Sequence, residues 1–167
     1  WPFVTQIPAP YVAFNSERLV QRHVNSLLFS LFLNRQVGTT NKEKTKLNLE
    51  WFYLPEQDSV CDRLLDWLGS DALQWSKSLE SLVKGTALND HTCETLCDIS
   101  ADTIHQLRDR WFEEYRYLTK QLTSAISDSP YEYRINKELY RLKNEFVLRE
   151  LASKSFLPGY GFPTDVV

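Results

Sequence analysis

Two groups of side chains in this 167-residue chain have the types and spacing to do chemistry. The first is His91-x-Cys93-x-x-x-Cys97, with Cys61 as a distant fourth member. Zinc accepts thiolate and imidazole together, but a structural zinc site draws on a close pair of ligands from each side. Only one such pair is present, so free, partly buried thiols in a reducing compartment are the plainer expectation, with zinc as the alternative. A catalytic Cys–His pair ranks below both. The second group is basic. Arg134, Lys137 and Arg141 recur at three- and four-residue steps and so share one face of a helix. Tyr133 and Tyr140 lie beside them, where a ring can stack on a base while the cations hold phosphates. The ordinary alternative is a solvated, salt-bridged face, because Glu132, Glu138, Glu145 and Glu150 are interleaved. Lys42, Lys44 and Lys46 either extend that basic track or keep a loop soluble. Arg22 and His23, at the start of an apolar helix, read as boundary residues or as contacts to a neighbouring domain or phosphate.

Other chemistries are excluded by absence. The five Gly stand at 38, 69, 85, 159 and 161, so no GxxxxGK[ST] phosphate loop is possible. Gly159 and Gly161 form GxG, but Phe162-Pro163 follows and no helix can open there. No HExxH helix and no GxSxG elbow occurs. A net charge of −3 gives no general attraction to nucleic acid. Three Cys argue against a disulfide framework. The longest apolar run, residues 27–33, is far short of the ~20 residues that cross a bilayer. These features predict a cytoplasmic protein with no membrane partner.

The elements that must position these groups are helical. Low Gly content and long runs of three- and four-residue apolar spacing predict an all-α fold, an irregular bundle of about five or six helices in a single domain, 1–167, with short extended segments at both ends. Residues 1–14 hold three Pro and read as extended. Asn15 or Ser16 caps a helix to about Gln36, with Leu19, Val20, Val24, Leu27, Leu28, Leu31 and Phe32 as its apolar positions. Gly38 to Asn48 reads as an exposed, mobile loop. Leu49 to Leu54 reads as a short strand or a packed turn. Ser59 caps a short helix, with Asp62 three residues on and Gly69 as its stop. Ser70 or Asp71 opens another, with Leu73, Leu79, Leu82 and Val83 inward and Gly85 as its stop. Ser100 is expected to cap a long helix to about Ser127. Ser129-Pro-Tyr-Glu132 has the form of a capping box, opening a last helix to about Ser155. Its two apolar stripes, one of Ile135, Leu139, Leu142 and Phe146, the other of Tyr140, Val147 and Leu151, predict burial on two sides. The core is expected from 16–36, 100–127 and 130–155.

The tail, Phe156-Leu-Pro-Gly-Tyr-Gly-Phe-Pro-Thr-Asp-Val-Val167, cannot be helical past its prolines. Phe156, Pro158, Gly159, Tyr160, Gly161, Phe162 and Pro163 read as a rigid docking turn with large apolar area to bury. Asp165-Val166-Val167 reads like the start of a strand, and no Met precedes Trp1. The chain is therefore expected to be a piece of a longer polypeptide, its tail lying against a neighbour.

The same tail resembles a segment of very large bacterial DEAD/DEAH-box-like superfamily 2 helicases, which carry a cysteine-rich C-terminal region and of which some belong to phage-defence systems. In that family a similar LPGYGFP run follows a long helix ending like Leu148-Arg-Glu-Leu-Ala152. Val20-Gln-Arg-His-Val24, after Asn15-Ser-Glu-Arg18, is similar to the family's helix soon after the second motor lobe. The resemblance covers about 25–30 of the 167 residues. It implies a non-catalytic helical accessory domain of an ATP-dependent translocase, lying between the motor and C-terminal regions of its parent chain. ATP and Mg would belong to the parent, since the segment holds no cofactor-binding motif of its own. Single-stranded or duplex DNA would be the substrate. From a different class, a helical protein–protein interaction module with no nucleic-acid role fits the same composition.

Overall fold

The computed structural model describes residues 15–37 and 44–159. Within them the chain is all-α, with no strand. Helix α1 spans Glu17–Val37, α2 Leu49–Tyr53, α3 Val60–Gly69, α4 Ser76–Val83, α5 Cys93–Ser124, α6 Pro130–Asn144 and α7 Val147–Ser153. A 3-10 turn, Asp71–Trp75, joins α3 to α4.

Local chemistry explains most starts and stops. The Ser16 hydroxyl accepts from the Leu19 N–H at 3.3 Å and opens α1. At α3 the expected capping box is complete: Ser59 Oγ accepts from the Asp62 N–H and the Asp62 carboxylate accepts from the Ser59 N–H. Gly85 follows the α4 cap at φ +76°, a conformation glycine adopts without penalty. At α6, Ser129 Oγ accepts from the Glu132 N–H, but the Glu132 carboxylate turns to the Asp128 N–H rather than to Ser129.

Several expectations are corrected by long-range partners. Ser100 does not cap α5. Thr92 does, accepting from the Thr95 N–H at 3.1 Å, and the helix runs a further two turns back. Ser100 is fully buried mid-helix, its hydroxyl donating to Asn25 Oδ1 on α1. Leu49–Tyr53 is neither strand nor turn but a helix capped by Asn48 Oδ1. The helix foreseen from Ser70 or Asp71 is a 3-10 turn followed by α4, and Leu73 faces solvent. The single helix foreseen over 130–155 is two, broken at Glu145 and Phe146. There the Leu49 N–H donates to the Glu145 carbonyl and the Val147 N–H to the Leu47 carbonyl, both at 2.9 Å. Pairing with a segment about 100 residues away replaces two intrahelical bonds, so no local signal marks the break. Because the register resets there, Tyr140 is not continuous with Val147 and Leu151, and the expected second buried stripe fails.

The core is also built differently from the expectation. α2 and α3 join α1, α5 and α7, while α6 stays at its margin. Phe29, Phe52, Tyr53, Trp111 and Phe156 form its aromatic centre. The Phe29 ring meets those of Phe52 and Phe156 edge-on at 6.0 and 6.2 Å, and Tyr53 stacks on Trp111 at 4.9 Å. Edge-to-face and offset pairs of this kind add to the burial of their area. Beyond the core, the C-terminal half of α5 and most of α6 form a hairpin arm, while Leu142 near the end of α6 packs back on the core and its carbonyl accepts from Trp111 Nε1. The arm's own apolar cluster is small: Leu118, Ile135 and Leu139, flanked by Tyr115, Leu122 and Leu142.

The chain leaves the body through a Schellman turn after α7. The Ser155 N–H donates to the Ala152 carbonyl and the Phe156 N–H to the Leu151 carbonyl, with Ser155 at φ 67°. Asn25 Nδ2 then donates to the Phe156 carbonyl at 2.9 Å. Phe156, Leu157 and Pro158 are thereby buried against their own domain, and Gly159 is exposed. Tyr160, Gly161, Phe162 and Pro163 lie outside the described residues, as do residues 1–14 and 38–43.

Candidate nucleic-acid interface

Helix α6 presents two opposed faces. Ile135 and Leu139 turn inward against Leu118. On the outer side, at 100° per residue, Tyr133, Lys137, Tyr140, Arg141 and Arg134 fall within about a third of the circumference. Tyr133 and Tyr140 are 71% and 69% exposed, so both rings stand in solvent. Among the described residues no carboxylate lies within ion-pairing distance of Arg134, Lys137 or Arg141. The salt-bridged alternative for this face is therefore not what forms. Arg134 instead lies over the Tyr131 ring at 5.1 Å.

Where α6 breaks, Lys137, Tyr140, Arg141, Asn144, Phe146 and Arg149, with the carboxylate of Glu145 among them, line a shallow groove of about 300 Å³. Phe146, assigned to the buried stripe by periodicity, is 37% exposed because the break turns it out. The Arg149 guanidinium lies over its ring at 5.3 Å and within 3.6 Å of Glu145. The sequence reading missed Phe146 and Asn144 as members of this face. Only the break brings them there.

The inner side of α6 has the opposite sign. Glu114, Glu138, Glu145 and Glu150 converge on a second groove, which Arg141 and Lys154 also line. Burial pushes the Glu150 carboxyl above its usual range, Glu145 and Glu114 push it further, and Lys154 opposes them. Cations thus predominate on the outer side of α6 and carboxylates on the inner one.

The remaining candidates do not join this face. Arg22 is half-buried on α1 and lines a separate groove. His23 is half-buried beside it, and burial lowers its pKa, so it is neutral at pH 7 and brings no charge. Lys44 is buried, not exposed, donating its ammonium protons to Asn34 Oδ1. It adds nothing to a basic track, and Lys42 lies outside the described residues.

Among the described residues His91, Cys93 and Cys97 do not form a group able to hold a metal, with or without Cys61. All three thiols are free and buried. Burial pushes Cys61 and Cys97 up to about 12 and raises Cys93 as well. Each is a protonated thiol at neutral pH, a poor ligand and a poor nucleophile.

No helix among the described residues is long and apolar enough to cross a membrane. No family model matches this chain, and no curated protein or solved structure matches it.

Proposed function

We propose that this chain is a non-catalytic helical accessory domain of an ATP-dependent helicase-like protein, and that the outer face of α6 guides a nucleic-acid strand past the motor. ATP and Mg would act in the parent chain, and the domain would position rather than catalyse. One observation carries the reading: three cations without carboxylate partners among the described residues, on one helix face beside two tyrosine rings that stand in solvent. Exposed aromatic rings among unpaired cations suit an unpaired strand, whose bases stack while its phosphates are neutralised. The resemblance of the 156–163 segment to the helicase family supplies the parent.

A test is fluorescence anisotropy with a labelled oligo-dT, titrated across a salt series. Affinity should fall steeply with salt, and the slope should lessen by about one for each of Arg134→Ala and Arg141→Ala. Tyr140→Ala should weaken binding by about 1–3 kcal/mol with little change in the salt slope. Binding that is absent, or indifferent to salt and to these substitutions, defeats the reading. That result would favour the protein–protein interaction module, for which the specific observation is Ile126, 79% exposed at the tip of the arm, with Tyr117 also out in solvent.

A further inference from the structure

A second groove, of about 520 Å³, lies on the body between α1, α5 and the end of α7. It is within the size range of small-molecule sites. Three cations line it: Arg18 and Arg22, one turn apart on α1, and Lys154. Neither Arg18 nor Arg22 has a carboxylate within ion-pairing distance among the described residues, and Glu17 is the one carboxylate lining the groove. Two guanidinium forks and an ammonium suit a doubly charged phosphomonoester better than a single carboxylate. Leu88 and Ile99 supply an apolar wall.

Gln21 also lines the groove. Its Nε2 is engaged by Asn25 Oδ1 at 2.9 Å, Ser100 Oγ at 3.2 Å and the Leu96 carbonyl at 3.4 Å. Its Oε1 is buried and has no partner among the described residues. The amide cannot simply turn over, because Asn25 Oδ1 and the Leu96 carbonyl are both acceptors. A buried acceptor without a donor costs about 1–3 kcal/mol.

We infer that this groove binds a phosphomonoester carrying a flat ring, such as a nucleoside monophosphate: the phosphate on Arg18, Arg22 and Lys154, and the ring against Leu88 and Ile99. The same chemistry is offered by a free nucleotide and by the 5′-phosphorylated end of a strand. The site is separate from the α6 face and does not depend on it.

Calorimetric titration of the whole chain with AMP tests this. Saturable one-to-one binding is expected, at least about tenfold weaker with ribose 5-phosphate, which lacks the base, and weaker again with inorganic phosphate. Arg18→Ala and Arg22→Ala should each weaken AMP by about tenfold, as loss of a charged hydrogen bond predicts. Arg18 is exposed, so its variant should fold even if the Arg22 variant does not. Competition by a 5′-phosphorylated but not an unphosphorylated oligonucleotide would identify a strand end as the source. AMP binding without that competition would identify a free nucleotide. The inference is overturned if AMP does not bind, if neither arginine matters, or if Tyr140→Ala abolishes AMP binding, since that would merge the two sites. Failure of oligo-dT binding with AMP binding intact would defeat the α6 reading alone.

Discussion

The body and the arm use the same residue types to opposite ends. In the body, Phe29, Phe52, Tyr53, Trp111 and Phe156 are each less than 5% exposed and touch one another ring to ring. In the arm, Tyr117, Tyr133 and Tyr140 stand in solvent around a core of three buried residues. Two antiparallel helices can bury only the stripe between them, so the outer faces of an arm remain available. An exposed aromatic in a body of many helices is a leftover. On a thin arm, beside unpaired cations, it is a surface that can be used.

The comparison can be broken by substitution. Phe156→Ala should cost the most, about 3–5 kcal/mol, because it empties a site packed on Phe29 and surrounded by the main core. Denaturant titration should show one cooperative transition moved to lower midpoint. Leu139→Ala should cost less, about 2 kcal/mol, because its site faces only one other helix and can collapse. Hydrogen exchange should then speed in α6 while α1 and α3 stay protected. Equal global losses from the two substitutions would mean that body and arm are one unit, and the distinction would fall.

Two smaller effects sharpen the boundary between them. Ser155→Gly should stabilise by about 0.5–1 kcal/mol, since a non-glycine residue at φ 67° is strained and glycine is not. An unchanged thermal midpoint would mean the turn is stabilised by contacts other than its backbone. Glu150→Gln probes the acidic groove between arm and body. Glu150 has its pKa raised by burial, so its ionised form is less favourable in the folded protein than in the unfolded one. The penalty is present at neutral pH and disappears as pH falls through the folded and then the unfolded pKa. The variant should therefore melt slightly higher than wild type at pH 7 and match it near pH 4. A gain that persists at the lower pH would show that the charge is not the cause.

Legibility in the sequence followed the range of the interaction. Ser59 with Asp62, and Ser129 ahead of Pro130, act on groups three residues away and were readable as caps. Ser100 has the same hydroxyl, but its partner Asn25 lies 75 residues off, and a serine before an apolar run looks like a cap from inside that run. The basic face of α6 was readable because helical spacing alone brings Arg134, Lys137 and Arg141 together. That they are unpaired was not, because Glu138 and Glu145 sit at distances in sequence that permit pairing. Phe146 joined the wrong stripe because its helix breaks for a reason located at Leu47 and Asn48.

By itself, then, the sequence determined the helical class, the caps at Ser16, Ser59 and Ser129, the inward positions Val20, Val24, Leu28 and Phe32 of α1 and the shared face of the basic residues. All of these depend on contacts within about one turn of helix. Only the tertiary structure decided where α6 stops, which charges find partners, that Phe156 is held by Asn25, and that the Gln21 carbonyl is left without a donor. Each of those depends on what segments distant along the chain bring to one place, and period and propensity carry no information about that.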